Sequence, residues 1–111
     1  MKGASILAVT MVAMVAASES TTGYSITGRG TLSCEAWTAA RRYPNAFDTV
    51  MNEQWVVGFL SGIGFMALGE LDPLHGVDAG FVYAWVDSYC RNHPSEKIVD
   101  AAGTLIQEHP R

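Results

Sequence analysis

Two cysteines, Cys34 and Cys90, constrain this chain more than any other feature, because it has only 111 residues. A domain of that size buries a small hydrophobic core, and a covalent link between distant segments supplies a large share of its stability. In an oxidising compartment two half-buried thiols are expected to pair. Two free buried thiols and an intermolecular bridge are the alternatives. No Cys-x-x-Cys spacing is present, which argues against a reactive redox pair.

The N-terminal segment has the pattern of a cleaved secretory signal peptide. Lys2 precedes an apolar run from 6 to 17, and Val15 and Ala17 stand at the third and first positions before the expected cut. A membrane anchor is the competing interpretation, but the run is shorter than the roughly 20 residues that cross a bilayer. We therefore predict a signal peptide at 1–17, a secreted mature protein and no membrane association after cleavage.

The next segment, residues 18–31, is rich in Ser, Thr and Gly. This composition favours a flexible, exposed N-terminal tail over a packed element. We predict that order begins near Leu32 and that residues 32–111 form one domain. The formal charge of -4 and the lack of a basic stretch argue against nucleic acid as a partner.

Helical periodicity dominates the domain, and no window alternates like a half-buried strand. Ser33 is positioned to cap a first helix over about 34–43, and Asp78 to cap a third helix that extends to Cys90. A fourth helix follows, with Pro94 expected at its first position. Its predicted buried stripe consists of Ile98, Val99, Ala102, Leu105 and Ile106. The predicted fold is all-α, a small bundle of about four helices linked by one disulfide.

The second predicted helix, from Thr49 or Asn52 to about Leu68, is apolar around most of its circumference. Such a helix has to be buried or to face a partner. Gly58 and Gly62 each cost about 1 kcal/mol relative to alanine, unless another backbone packs closely against them, in one chain or between two. We predict a protein-binding surface and a homodimer contact here. The predicted partner-binding residues are Trp55, Val56, Phe59, Leu60 and Ile63.

The search for chemistry in the sequence finds no catalytic constellation. The three histidines are His75, His93 and His109, and no two of them have the i,i+4 spacing of a helical metal site. The segment 58–62 has the wrong spacing for a nucleophile elbow, and 62–64 lacks the third glycine of a dinucleotide fingerprint. The tryptophans Trp37, Trp55 and Trp85 are expected in the core. We predict a non-enzymatic protein without a catalytic residue, metal site or cofactor.

The segments around the two cysteines resemble those of a known family. The first predicted helix opens with Ser33-Cys34-Glu35, and the last is preceded by Tyr89-Cys90-Arg91-Asn92-His93-Pro94. With a tryptophan-bearing middle helix, this arrangement resembles the periplasmic acid-stress chaperones HdeA and HdeB. The resemblance implies a periplasmic dimer that is inactive near neutral pH. In acid it would loosen and expose apolar surface to unfolding client proteins.

The charge of the chain offers a physical route to this opening in acid, and so to a role in acid resistance. Carboxylates with a depressed pKa in the fold stabilise it above their unfolded pKa, and this contribution is lost as pH falls through the folded value. Protonation of eleven carboxylates and three histidines also makes the chain strongly positive. The family's lysine-rich ends have no counterpart, since Lys97 is the only lysine beyond the predicted signal peptide.

A second resemblance implies a different function. The glycine-rich middle helix from Trp55 to Gly64 and the late His93-Pro94 are similar to those of secreted immunity proteins, which neutralise toxins of competing bacteria. This resemblance implies a protein that binds one folded toxin at neutral pH. The two resemblances make different predictions about pH, and motifs alone do not separate them.

Overall fold

Four α-helices make up most of residues 23–109, the part of the chain that the computed structural model describes. The helices are α1 (Cys34–Ala40), α2 (Phe47–Met66), α3 (Ala79–Asn92) and α4 (Ile98–Glu108), and a 3-10 turn, Arg29–Thr31, precedes α1. That part of the chain contains no strand apart from one isolated bridge between Ser33 and Lys97. The predicted all-α fold is confirmed there. The predicted signal peptide lies outside the described residues.

Side-chain caps begin two of the helices where the sequence predicts them. The hydroxyl oxygen of Ser33 accepts a hydrogen bond from the Ala36 amide at 3.1 Å. At α3 the Asp78 carboxylate accepts from the Phe81 amide at 2.9 Å. Each cap satisfies a backbone donor that the first helical turn leaves without an intrahelical partner.

None of the helices described is both long and apolar enough to span a membrane.

The first helix ends at Ala40, three residues before the predicted end. The buried Thr49 hydroxyl lies within hydrogen-bonding distance of the Ala40 and Tyr43 carbonyl oxygens. The Tyr43 amide itself bonds to Ala40, three residues back, which is a 3-10 rather than an α-helical contact. The first turn of α2 therefore ends α1 and fixes the angle between the two helices.

The fourth helix begins at Ile98, so Pro94 is not its first residue, and this part of the prediction is wrong. The Pro94 carbonyl accepts a hydrogen bond from the Glu35 amide at 3.1 Å, and the Ile98 amide donates to the Leu32 carbonyl at 2.9 Å. The chain before α4 thus pairs with the chain entering α1. Because its backbone groups are used between segments, the helix starts only after this pairing ends.

The core lies where all four helices meet, beside the predicted disulfide. The Cys34–Cys90 bond is present and links the start of α1 to the end of α3, and neither thiol is free. The buried apolar residues are Cys34, Trp37, Val56, Leu60, Val82, Val86, Cys90, Ile98, Ala101, Ala102 and Leu105. Trp37 is in the core as predicted, whereas Trp55 and Trp85 are partly buried against its edge. On α4, Val99 and Ile106 are half-buried rather than buried as predicted, and Ala101 completes the buried face.

Candidate binding surface

The predicted partner-binding residues of α2 divide between two faces. Val56 and Leu60 are 0% exposed and lie in the core, so they form no surface while the bundle is closed. Trp55, Phe59 and Ile63 are half-buried and follow one another at i,i+4 spacing on an adjacent face. A one-residue offset along the helix therefore decides which apolar stripe is internal. Of the predicted partner-binding residues, only Trp55, Phe59 and Ile63, the second stripe, are accessible at the surface.

This second stripe is covered by the segment before α1, which we name the N-terminal strap (residues 23–31). The indole Nε1 of Trp55 donates a hydrogen bond to the Thr27 carbonyl at 3.1 Å. The strap ends in the 3-10 turn Arg29–Thr31. Within the strap Gly30 is buried and Ile26 and Arg29 are half-buried, whereas its other residues are exposed. Residues 18–22 lie outside the described part of the chain.

Two glycines of the strap allow it to lie against the Trp55 ring. A Cβ atom added to the buried Gly30 would stand 2.1 Å from Cη2 of the indole, closer than any two such atoms approach. Gly28 has a φ angle of 89°, and a Cβ there would lie 3.1 Å from Nε1. On its other side Trp55 stacks on Phe59, with ring centroids 5.1 Å apart and planes inclined by 11°. The indole is thus held between the strap and its own helix.

A groove of about 600 Å³ lies between the strap, α2 and α4. We name it the strap groove. Its apolar and aromatic lining consists of Tyr24 and Ile26 from the strap, Phe59 and Ile63 from α2, Tyr89 from α3, and Val99 and Gly103 from α4. Two acidic residues, Glu96 and Asp100, also line it, and no basic residue does. The groove therefore suits an apolar segment without negative charge.

Arg29 anchors the end of the strap to the start of α2. Its Nη1 atom lies 3.1 Å from Asp48 Oδ1 and donates to Asn52 Oδ1 at 3.2 Å. The guanidinium also lies over the ring of Phe47, 5.5 Å from the centroid. Asn52 is buried, and this bond gives its amide oxygen a partner. These contacts fix the strap where it enters α1.

A network around Arg41 joins three helices and is named here the Arg41 network (Trp37, Arg41, Glu53 and Asp87). Arg41 Nε and Nη2 donate to the two carboxylate oxygens of Asp87 at 2.7 and 3.1 Å, and Nη1 donates to Glu53. The core indole of Trp37 donates to Asp87 at 2.7 Å. The hydrogen bonds to Asp87 raise the pKa of Arg41 above its ordinary value, and desolvation opposes that rise only in part. The network thus joins one guanidinium to two carboxylate side chains.

An aromatic column runs along α3 toward α4. Trp85 stacks on Tyr89 with centroids 5.5 Å apart, and Tyr89 packs against His93 at 4.3 Å. The Tyr89 hydroxyl donates to Glu96. Desolvation, with help from that hydrogen bond, raises the pKa of Tyr89 above its ordinary value. Desolvation likewise raises the pKa of Tyr83, which lies beside the Arg41 network.

The end of α2 is exposed, unlike its middle. Phe65, Met66 and Leu68 are 77%, 75% and 88% exposed and form a surface that we name the α2 end patch.

Gly58 and Gly62 of α2 face open space. A Cβ atom added to either glycine would have no neighbouring atom within 4 Å. Within the described residues no second backbone packs against Gly58 or Gly62, so they do not mark a helix crossing inside one chain. A crossing between two chains stays a prediction.

Groups that bind metals lie apart in the described structure. Within residues 23–109 no three His, Cys, Asp or Glu side chains cluster as a metal site would require. His75 stands 3.7 Å from Asp72, and His93 stands 3.8 Å from Glu96. His109 packs edge-on against an aromatic ring. His75 and His93 thus each lie near one carboxylate rather than a ligand set.

Sequence patterns alone predict neither the strap nor the Arg41 network. Tyr24-Ser25-Ile26-Thr27 alternates apolar and polar residues, a weak signal of an extended segment with one packed face. Arg41 stands at a helical position that faces inward, but its partners are 12 and 46 residues away. No local pattern indicates partners at such distances.

Comparison of the chain with protein-family models, with curated proteins and with solved structures gives no match. The resemblances to acid-stress chaperones and to immunity proteins therefore depend on the quoted residues alone. The features of the structure that bear on function are the strap groove, the Arg41 network and the α2 end patch.

Proposed function

We propose that the protein is a non-enzymatic periplasmic binding protein of the HdeA/HdeB type, closed near neutral pH and opened by acid to bind unfolding proteins. The observation that carries this proposal is the Arg41 network. Its half-buried ion pairs use Asp87 of α3 and Glu53 of α2 to hold Arg41, which follows α1. The contacts that join three helices therefore depend on carboxylates, the groups that acid neutralises.

Acid weakens this network in a defined way. Without the negative charges of Asp87 and Glu53, the half-buried Arg41 guanidinium has no counter-ion, a state that is costly in a medium of low polarity. The Trp37 indole also loses its charged acceptor. Both losses act at the core, where α1, α2 and α3 meet, so they favour separation of these helices.

Separation of α2 supplies the apolar surface that a chaperone needs. Val56 and Leu60 are buried against the other helices and become accessible only when α2 moves. The disulfide keeps α1 and α3 connected through this change, because it does not titrate. The opened state stays compact, and neutralisation reverses it. A homodimer at neutral pH is proposed with this function, and it would form without Val56 and Leu60, which are internal in the closed bundle.

The test follows the oxidised mature protein from neutral pH to about pH 2, the range over which carboxylates titrate. Binding of an apolar dye should rise, and the acidified protein should suppress aggregation of an acid-unfolded client. Both effects should reverse on neutralisation. A protein that stays closed in acid contradicts the proposal.

Two variants show whether the Arg41 network is the acid-sensitive element. Asp87→Asn combined with Glu53→Gln should bind dye at neutral pH, because it reproduces the uncharged network. Glu35→Gln is the matched control, since Glu35 is an exposed carboxylate of α1. Its acid transition should match that of the unchanged protein.

A second function is favoured by the α2 end patch. Phe65, Met66 and Leu68 are exposed without any acid-induced opening, and an exposed apolar patch is typical of a protein interface. An immunity protein that binds one folded toxin at neutral pH would use such a surface. A pull-down at neutral pH should then recover a single partner, and Phe65→Ser should abolish its capture.

A further inference from the structure

We infer that the strap groove is a binding site for an extended apolar polypeptide segment without negative charge, and that the N-terminal strap, which forms one wall of the groove, competes with that segment for the surfaces of α2 and α4. This inference rests on the proposed function for its biological meaning, since an unfolding client supplies such segments. It adds the location of the site, the class of segment that it binds and the element that competes for it.

The strap shows that an extended chain can lie beside α2 and α4. Residues 23–27 are neither helix nor strand, and the first backbone hydrogen bond of the strap that closes a turn involves Gly28. Within the described residues, the Trp55–Thr27 hydrogen bond joins residues 23–27 to the bundle. The backbone groups of this part of the strap are thus not committed to regular structure. Side-chain packing and one exposed hydrogen bond hold it in place.

The chemistry of the groove defines the segment that it takes. Phe59 and Ile63 face the strap from α2, and Val99 faces it from α4. An alternating segment with apolar side chains at every second position, such as Tyr24 and Ile26, suits these surfaces. The two acids that line the groove disfavour a segment with aspartate or glutamate through repulsion between like charges.

The strap forms one wall of the groove, leaves part of it open and is easily released. Tyr24 lines the groove yet remains 71% exposed, and about 600 Å³ stays open beside the strap. Gly28 has a φ angle of 89°, a conformation that glycine adopts without strain, so the chain can turn there. Arg29, on the far side of this turn, keeps its own bonds to α2. Residues 23–27 can therefore leave while the rest of the strap stays anchored.

The experiment measures binding of a fluorescein-labelled peptide with the sequence of residues 23–31 by anisotropy at neutral pH, on the full mature oxidised protein. Ile26→Ser weakens the strap without altering α2 or α4. It should bind the peptide at least about tenfold more tightly than the unchanged protein, because an internal competitor lowers apparent affinity. Tyr24→Ser is a second loosened variant. Tyr43→Ser, at an exposed tyrosine outside the groove, is the control and should bind like the unchanged protein.

A further variant assigns the binding to the groove. Ile63→Ser in the Ile26→Ser background should abolish binding, and a peptide with aspartates in place of its Tyr and Ile should not bind. Equal affinity for unchanged and loosened protein would overturn the inference, as would binding that survives Ile63→Ser. Dimerisation of the loosened variants in place of peptide binding would assign the groove to a second copy and also overturn it.

The outcome is independent of the acid-opening experiment. All peptide measurements use neutral pH and no client protein. A protein that binds the peptide but stays closed in acid contradicts the proposed function only. A protein that opens in acid but shows no peptide binding in any loosened variant contradicts the strap inference only.

Discussion

At the scale of single residues, substitution by alanine should have opposite effects on stability at Gly30 and at Gly62. Gly30→Ala places a methyl group against the Trp55 ring and should lower the free energy of unfolding by about 1 to 3 kcal/mol. Gly62→Ala adds a methyl group to open space within α2 and should raise it by up to about 1 kcal/mol. Urea unfolding followed by tryptophan fluorescence measures both. A Gly30→Ala variant at least as stable as the unchanged protein would contradict the contact between Gly30 and Trp55.

Tyr83 and Tyr89 carry the residue-scale prediction about pH. Their raised pKa values mean that the fold favours the neutral phenol, so the unfolded chain releases these protons first as pH rises. Stability is therefore fully present below about pH 10, tyrosine's ordinary pKa, and falls as pH rises through the folded values. Ultraviolet difference spectra should show these two phenols ionising later in the folded protein than in urea. Titration of every tyrosine at its ordinary value would contradict their desolvation.

At the scale of elements, Asp87 holds α3 against the residues at the end of α1. Asp87→Ala removes the partner of both Arg41 and Trp37 and should cost about 2 to 4 kcal/mol of stability. Asp87→Asn keeps an acceptor for the indole and removes the charge, so it should cost less. Chemical denaturation at neutral pH measures both, and a cycle with Arg41→Met isolates the coupling. Equal costs would show that charge dominates and that the indole bond adds nothing.

At the scale of the whole molecule, the disulfide decides whether the small core is sufficient. Cys34→Ser with Cys90→Ser frees two segments that are 56 residues apart, and the chain-entropy model gives a loss of about 4 kcal/mol. This is a large part of the roughly 5 to 15 kcal/mol typical of a domain. We expect the variant to be largely unfolded or open at neutral pH, and circular dichroism with dye binding measures this. A variant as stable as the unchanged protein would show that the core alone suffices.

The sequence alone determined the features that depend on near neighbours. The caps at Ser33 and Asp78 and the apolar repeats of the helices act within a few residues, and they predict four helices correctly. The cysteine pair was predictable because only two cysteines exist. Part of the candidate site was also predicted, namely Trp55, Phe59 and Ile63, although the stripe beside them is core.

The tertiary structure decided the rest, because those features depend on contacts between distant segments. An all-round apolar α2 does not indicate which stripe is internal until the other helices pack against it. The partners of Arg41 come from α2 and α3, and the strap is ordered by Trp55, 28 residues from Thr27. Pro94 does not begin α4, because the backbone beside it pairs with the chain that enters α1. Periodicity and capping fix each helix, whereas long-range packing and hydrogen bonding fix what each helix faces.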